Sequence, residues 1–230
     1  MDSVNKTLYI PLYGKAAVSR RGILLRDPKA EEIWAESGFS PKGKVKSKWL
    51  TYYMGMRAAV FDQWLTAQMG ELPGAAVIHI GCGLDSRVCR IGTGVHAWYD
   101  VDLPEVIGER RKYYKESVEY HMLSADVRDT TWLDAIPGGT DAIAVMEGVS
   151  MYLNREELLG LLAALTKRFG AVSLLMDCYT VFAARASKYK NPVNEVGVTR
   201  LWGVDDPRKL ERGTWLAFLR ERGEKSLPPV

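Results

Sequence analysis

The sequence predicts an α/β protein, a Rossmann-like parallel sheet covered by helices on both faces and preceded by a helical segment. Three observations lead there. Short apolar runs at residues 75–80 (AAVIHI), 95–101 (VHAWYDV), 120–123, 141–146 (DAIAVM) and 171–176 (AVSLLM) have the length and near-continuous hydrophobicity of strands buried on both sides. The stretches between them carry helix signals, and strands alternating with helices imply crossover connections and hence a parallel sheet. The first run ends in Gly81-Cys82-Gly83, a backbone free of Cβ atoms at the sheet edge where open α/β folds hold cofactors.

The elements follow in order. In the first 74 residues, Asp27 and Pro28 form an N-cap and first-turn pair for a helix to about Ser37, and residues 50–69 are long, helix-compatible and rich in large apolar side chains. Such a preface is stable only when packed on the sheet. Pro104 opens a helix over residues 105–117. Asn154, followed three residues later by Glu157, is a capping box for a helix with Leu158, Leu161, Leu162 and Leu165 on one face and Gly170 as its stop. Beyond Cys178, Asp206 and Pro207 start a short helix, and residues 214–219 (TWLAFL) make a possible sixth strand.

Composition narrows the class of protein. A chain of 230 residues can bury about 70% of its unfolded surface without disulfides or metals. Hydrophobic residues at 47% and charged residues at 26% exclude collagen, disorder and coiled coil. The net charge is +3, and the basic residues are scattered apart from KGKVKSK at 42–48, so no nucleic-acid groove is expected. Cys82, Cys89 and Cys178 form no CxxC pair, which points to free thiols, a reducing compartment and a cytoplasmic protein, with no metal site. The first residues lack the apolar core of a signal peptide, and no run approaches the roughly 18 apolar residues of a membrane span.

The glycine turn alone is a weak sign of cofactor binding, but the next strand ends in Asp100 and Asp102, about 20 residues on, where a carboxylate would accept from a nucleoside's ribose hydroxyls. Two acids separated by Val101 share a strand face, so only one is expected at the ligand. The nicotinamide fingerprint GxGxxG is broken here: Ser86 stands at its third glycine, and Asp85 would repel a pyrophosphate. A cofactor without phosphates suits the turn better.

The blocks IGCGLDSR, YDVDLPEVI with Arg110 or Arg111 following, SADVRD and EGVSMYL, in that order, resemble the leucine carboxyl methyltransferase family and its bacterial polyketide O-methyltransferase-like branch. TLYIPLYGKAAVSRR, RDPKAEEIW and Arg57 extend the resemblance to about residues 7–178. It implies a class I fold using S-adenosylmethionine (SAM) and releasing S-adenosylhomocysteine (SAH). By position, Gly81 and Gly83 would lie along the methionine part of the cofactor and Asp102 would take the ribose hydroxyls. Asp126 would meet the adenine amine with Val127 beside the ring, Glu147 would face the cofactor, and Arg57, with Lys15 nearby, would pair with its carboxylate. The bland alternatives are an ion pair for Arg57, for instance with Asp62, an Asx-turn for Asp126 and a cap for Glu147.

The expected chemistry is methyl transfer to a carboxylate or hydroxyl of a small molecule. A carboxylate needs no base, with a pKa of about 4. A hydroxyl needs one, and His79, His96 and His121 read as structural, leaving Tyr152 as the candidate near the methyl group. The chain then reads as one domain over 1–230, with a preface or lid at 1–74, a SAM-binding core at 75–178, and an acceptor-side insertion and possible sixth strand at 179–230. Tyr179, Arg185, Tyr189, Arg200 and Trp202 are the insertion's candidate acceptor contacts. The rival readings are a nicotinamide oxidoreductase and a SAM-fold protein that binds without turnover.

Overall fold

A computed structural model describes residues 8–39, 47–190, 201–206, 208 and 210, with side chains to residue 187 in the last helix. Five strands form one sheet: β1 (Ala76–Ile80), β2 (Trp98–Asp102), β3 (Tyr120–Ser124), β4 (Ala142–Met146) and β5 (Val172–Met176). All neighbours are parallel, in the order β3-β2-β1-β4-β5. The register decides what meets at the carboxyl edge. Ile80 lies opposite Val101, Asp102 opposite Ser124, and Met146 opposite Met176. The residues that follow these ends, Gly81, Leu103, Ala125, Glu147 and Asp177, therefore leave the sheet along one edge.

Alternating side chains sort into two cores, as period-two geometry requires. Val77, Trp98, Ile143 and Val145 face the N-terminal helices, α1 (Tyr9–Ser19), α2 (Pro28–Glu36) and α3 (Lys48–Glu71), through Leu12, Ile33, Phe61 and Leu65. Ile78, Ile80, Val101, Ala144 and Met146 face the opposite layer. There α6 (Arg155–Arg168) presents Leu158, Leu161, Leu162 and Leu165, each at most 2% exposed. Four such leucines contribute about 1.5–3 kcal/mol apiece. The capping box is present, with Asn154 Oδ1 accepting from Glu157 N and Glu157 Oε2 accepting from Asn154 N. The fold is thus the expected α/β sandwich.

The preface is tied down by close approach as well as burial. Where α1 crosses α3, a Cβ on Gly14 would lie 2.6 Å from Met54 Cβ, and one on Gly55 would lie 2.6 Å from Val18 Cγ2. Asp27 caps α2 by accepting from Ala30 N at 2.9 Å. Among the described residues, no helix is long and apolar enough to cross a membrane.

Several boundaries differ from expectation. The strand predicted from residue 95 begins at Trp98, because His96 N turns back to Thr93 O and its Nδ1 lies 2.9 Å from Ala75 O. Between β1 and β2 there is only the short α4 (Arg87–Ile91), and between β3 and β4 a 3-10 segment, Thr130–Ala135, replaces an α-helix. The helix after β2, α5 (Pro104–Arg110), stops short of residue 117, where the chain turns to lay the Tyr114 ring 4.0 Å from the Arg110 guanidinium. Gly170 does not end α6 by a left-handed turn. Phe169 caps the helix in an extended conformation, and Gly170 is small because a Cβ there would lie 2.9 Å from Asp141 Oδ1. After β5, α7 (Val181–Lys190) leads outward, and Trp202 N returns to donate to Met151 O. The predicted strand at 214–219, Pro207, Arg200, the Tyr189 side chain and residues 42–46 of the basic stretch lie outside the described residues.

Candidate functional site

At the carboxyl edge a cavity of about 360 Å³ opens between the preface and the sheet. Its wall contains the expected cofactor contacts and Tyr152: Gly81, Gly83, Asp102, Asp126, Val127, Glu147 and Tyr152 from the sheet's loops, and Lys15 and Arg57 from α1 and α3. Gly81 is required twice over. Its φ is +66°, and a Cβ would lie 2.2 Å from Val149 Cγ2, so only glycine lets the turn pass under the loop after β4.

The two acids of β2 separate completely. Asp100 is fully buried beneath the site, accepting from Trp98 Nε1 at 2.9 Å, Tyr120 Oη at 2.6 Å and Arg110 Nη2. Burial works to raise its carboxyl, but Arg110, with His79 and Tyr120, outweighs it and holds the pKa at about 2. Asp102 lines the cavity instead, its oxygens accepting from Gly83 N at 2.7 Å and Leu103 N at 2.8 Å. Burial pushes its pKa up to about 6, against the lowering effect of those two N–H groups. Asp126 makes an Asx-turn, accepting from Arg128 N at 3.0 Å and from the Arg128 guanidinium, which lowers its pKa. Val127 sits beside it, half-buried against the second core.

Under the glycine turn lies a buried ionic network. Lys15 Nζ donates to Asp85 Oδ2 at 2.6 Å and lies 4.0 Å from Glu147. Arg57 Nε donates to Glu147 Oε1 and its Nη1 to Asp177 Oδ2, both at 3.0 Å. Arg87 reaches Glu147 and Asp62, while Arg90 reaches Asp62, Asp27 and Asp85. For Glu147, burial pulls the pKa up and Lys15, Arg57 and Arg87 together bring it down to about 2. Asp85 is likewise held well below its usual value: Arg90, Lys15 and Arg87 override burial. Lys15, Arg57, Arg87 and Arg90 thus face Asp27, Asp62, Asp85, Glu147 and Asp177, one acid in excess among the described residues.

Two expectations change. Asp62 pairs with Arg87 and Arg90 rather than with Arg57. Asp85 does not stand as a bare charge against a pyrophosphate, since Lys15 and Arg90 pair with it. His79, read as a structural strand residue, also lines the cavity. Burial and then Arg87 lower its pKa, and Nε2 lies 2.9 Å from Arg87 Nη1, so Nε2 accepts while the protonated Nδ1 faces Asp100 at 3.3 Å. Sequence reasoning missed Arg87, Arg90, Asp27 and Asp177 as parts of the site's foundation. Among these, Asp177 stands just past the fifth apolar run, as Glu147 does past the fourth, and Arg87 closes the block IGCGLDSR.

Tyr152 closes a 3-10 turn, Ser150–Tyr152, and is 37% exposed at the cavity wall. Burial of its phenol, then Tyr179, pushes its pKa up to about 12. Tyr179 joins the same wall, whereas Arg185 and Trp202 are exposed and do not line it. Leu8, Leu103 and Val149 supply apolar surface, and such a lining with a few convergent polar groups is typical of a small-ligand site.

Comparison with known proteins agrees with this geometry. The family model described as leucine carboxyl methyltransferase matches residues 8–166. The chain is 30% identical over 214 residues to the tetracenomycin polyketide synthesis O-methyltransferase TcmP of Streptomyces glaucescens, covering 92% of this chain and 79% of that protein. It is also 30% identical to the S-adenosyl-L-methionine-dependent methyltransferase dpfgK of Gibberella zeae, over 72% of this chain and 60% of that protein. Among solved structures, the magnesium protoporphyrin IX methyltransferase of Synechocystis PCC 6803 with bound SAH superposes with a TM-score of 0.50 at 16% identity, covering 87% of this chain and 86% of that one, a likeness of fold. The strand order, the glycine turn over a cofactor-sized cavity and the match through residue 166 converge: the chain belongs to the leucine carboxyl methyltransferase family, the S-adenosylmethionine-dependent methyltransferases.

Proposed function

We propose that the chain transfers the methyl group of SAM to an oxygen, carboxylate or hydroxyl, of a small molecule, and that residues 1–230 work as one cytoplasmic unit in which the preface covers the cofactor. The observation that carries this reading is the convergence of Lys15, Arg57, Gly81, Gly83, Asp102, Asp126, Val127 and Glu147 on one cavity wall. Two features fit SAM in particular. The ionic network has an acid in excess, which suits a sulfonium cation better than a pyrophosphate. The glycine turn admits a ligand close to the backbone at Gly81 and Gly83.

When bound, the cofactor supplies an electrophilic methyl group. The protein's part is placement and exclusion of water. Asp102 would accept from the ribose hydroxyls, and Asp126 would accept from the adenine amine with Val127 beside the ring. Gly81 and Gly83 would lie beside the methionine chain, Glu147 would face its polar end, and Arg57 and Lys15 would receive its carboxylate. Tyr152, with its phenol held protonated by a pKa of about 12, acts as a hydrogen-bond donor to the acceptor rather than as a base. Acceptors that are already ionised therefore suit this site. That the relative TcmP is an O-methyltransferase supports the choice of oxygen, and the thiols of Cys82, Cys89 and Cys178, all free, accord with a reducing compartment.

Calorimetry tests the cofactor. SAH should bind with micromolar affinity or better, worth about 8 kcal/mol, while NAD gives no heat; equal or tighter NAD binding overturns the reading. A second titration tests Arg57. Arg57→Ala should weaken SAH by about tenfold, the loss of a charge-assisted hydrogen bond, and leave methylthioadenosine, which lacks the carboxylate, within about twofold. Equal loss of both ligands, or of neither, removes Arg57 from the carboxylate.

A further inference from the structure

We infer that Asp177 is a positioning residue for the cofactor's carboxylate, acting through Arg57. This rests on the reading of Arg57 given above and extends it to a residue that does not itself line the cavity.

Asp177 follows the end of β5 and is held in place by its own backbone: its carbonyl accepts from Ser150 Oγ. One carboxylate oxygen accepts from Gly148 N at 2.6 Å, and the other accepts from Arg57 Nη1 at 3.0 Å. Glu147 takes Arg57 Nε from the other side at 3.0 Å. Two acids from neighbouring strand ends thus occupy two of the three guanidinium nitrogens and fix the plane of the group, since a guanidinium gripped at Nε and Nη1 cannot rotate. The remaining nitrogen, Nη2, makes no hydrogen bond among the described residues. It lies over Gly148, where a Cβ would sit 3.2 Å from it, and both Arg57 and Gly148 belong to the cavity wall.

The same carboxylate sets both partners of this contact. Gly148 has a φ of +73°, a left-handed turn that its N–H bond to Asp177 stabilises, and the absence of a Cβ there leaves room for the guanidinium. Asp177 therefore couples the loop after β4 to the helix that carries Arg57, and leaves the Nη2 pair of N–H donors uncommitted among the described residues at the cavity wall. The ligand chemistry this selects is a monoanionic carboxylate on the end of the nucleoside's side chain.

Asp177→Asn is the informative variant. The amide has one acceptor oxygen, so it keeps either the Gly148 bond or the Arg57 bond and must turn an NH2 toward the other donor. SAH and methylthioadenosine are titrated into wild type, Asp177→Asn, Arg57→Ala and the double variant. The expected result is an SAH affinity lowered about tenfold in Asp177→Asn, with methylthioadenosine within about twofold, and a double variant no weaker than Arg57→Ala alone. Intact methylthioadenosine binding also certifies the fold. If Asp177→Asn leaves SAH unchanged while Arg57→Ala weakens it, Arg57 needs no help from Asp177 and the inference fails. Equal loss of both ligands, or losses that add in the double variant, assigns Asp177 a general structural role and overturns it. If Arg57→Ala spares SAH, the reading of Arg57 itself fails, a result separable from the others.

Discussion

Asp100→Ala should lower the unfolding free energy by about 3–5 kcal/mol, the usual cost of removing one partner from a buried ion pair. Arg110, fully buried, would keep Tyr120 Oη at 3.0 Å and the carbonyls of Gly83 and Asp85 at 3.0 and 2.7 Å. It would lose its only carboxylate among the described residues. The effect has a pH signature. Because the folded pKa is about 2 and the unfolded value about 3.9, the Asp100 contribution is complete above pH 4 and is lost as pH falls through 2. Denaturant melts at pH 7 and pH 3 should show the variant's deficit shrinking at the lower pH. A deficit below about 1 kcal/mol at pH 7 would mean that Arg110 repairs its pairing elsewhere.

Asp102→Ala should do the reverse, weakening SAH by about 1.5–3 kcal/mol, roughly tenfold to 150-fold, with little change in stability. Its two backbone donors, Gly83 N and Leu103 N, lie at the cavity wall, where water can replace the carboxylate. A larger affinity loss in Asp100→Ala than in Asp102→Ala would exchange the two roles. The pH dependence again decides. With burial raising the carboxyl to about 6, and Gly83, Leu103 and Arg110 opposing burial while Asp100 adds to it, the free site is protonated below that pH. Accepting two ribose hydroxyls requires the ionised form, so SAH affinity should fall as pH drops from 7.5 to 5, and Asp102→Ala should flatten the profile. Stability moves in the opposite sense: a raised folded pKa means the native state binds the proton more tightly, so this group's contribution declines as pH rises from about 4 to 6.

Much of the fold was legible in the chain because its signals are local. Five short apolar runs marked five strands, most within one residue of their observed ends, since a strand buried on both faces must be apolar along its length. Asn154 and Glu157 marked a helix start through bonds spanning three residues. Val95 misled because hydrophobicity alone does not show that His96 turns the chain first; it is 76% exposed. The candidate cavity residues could be named because the motif blocks carry them at recognisable places, but Asp100 and Asp102 share a strand face and no local rule separates them. Position along the strand decided it: Asp100 lies one residue pair inside the sheet against Arg110, and Asp102 lies at the edge.

By itself, then, the sequence determined the parallel sheet, the glycine turn and the residue types that line the cavity at the carboxyl edge. Only the tertiary structure decided how charge is distributed there. Arg57 meets Glu147 and Asp177 across separations of 90 and 120 residues, and Lys15 meets Asp85 across 70. Pairings at such distances leave no periodic trace in the chain. They exist because two helices cross where Gly14 and Gly55 allow it and because parallel register brings four strand ends level, and burial then forces each charge to find a partner.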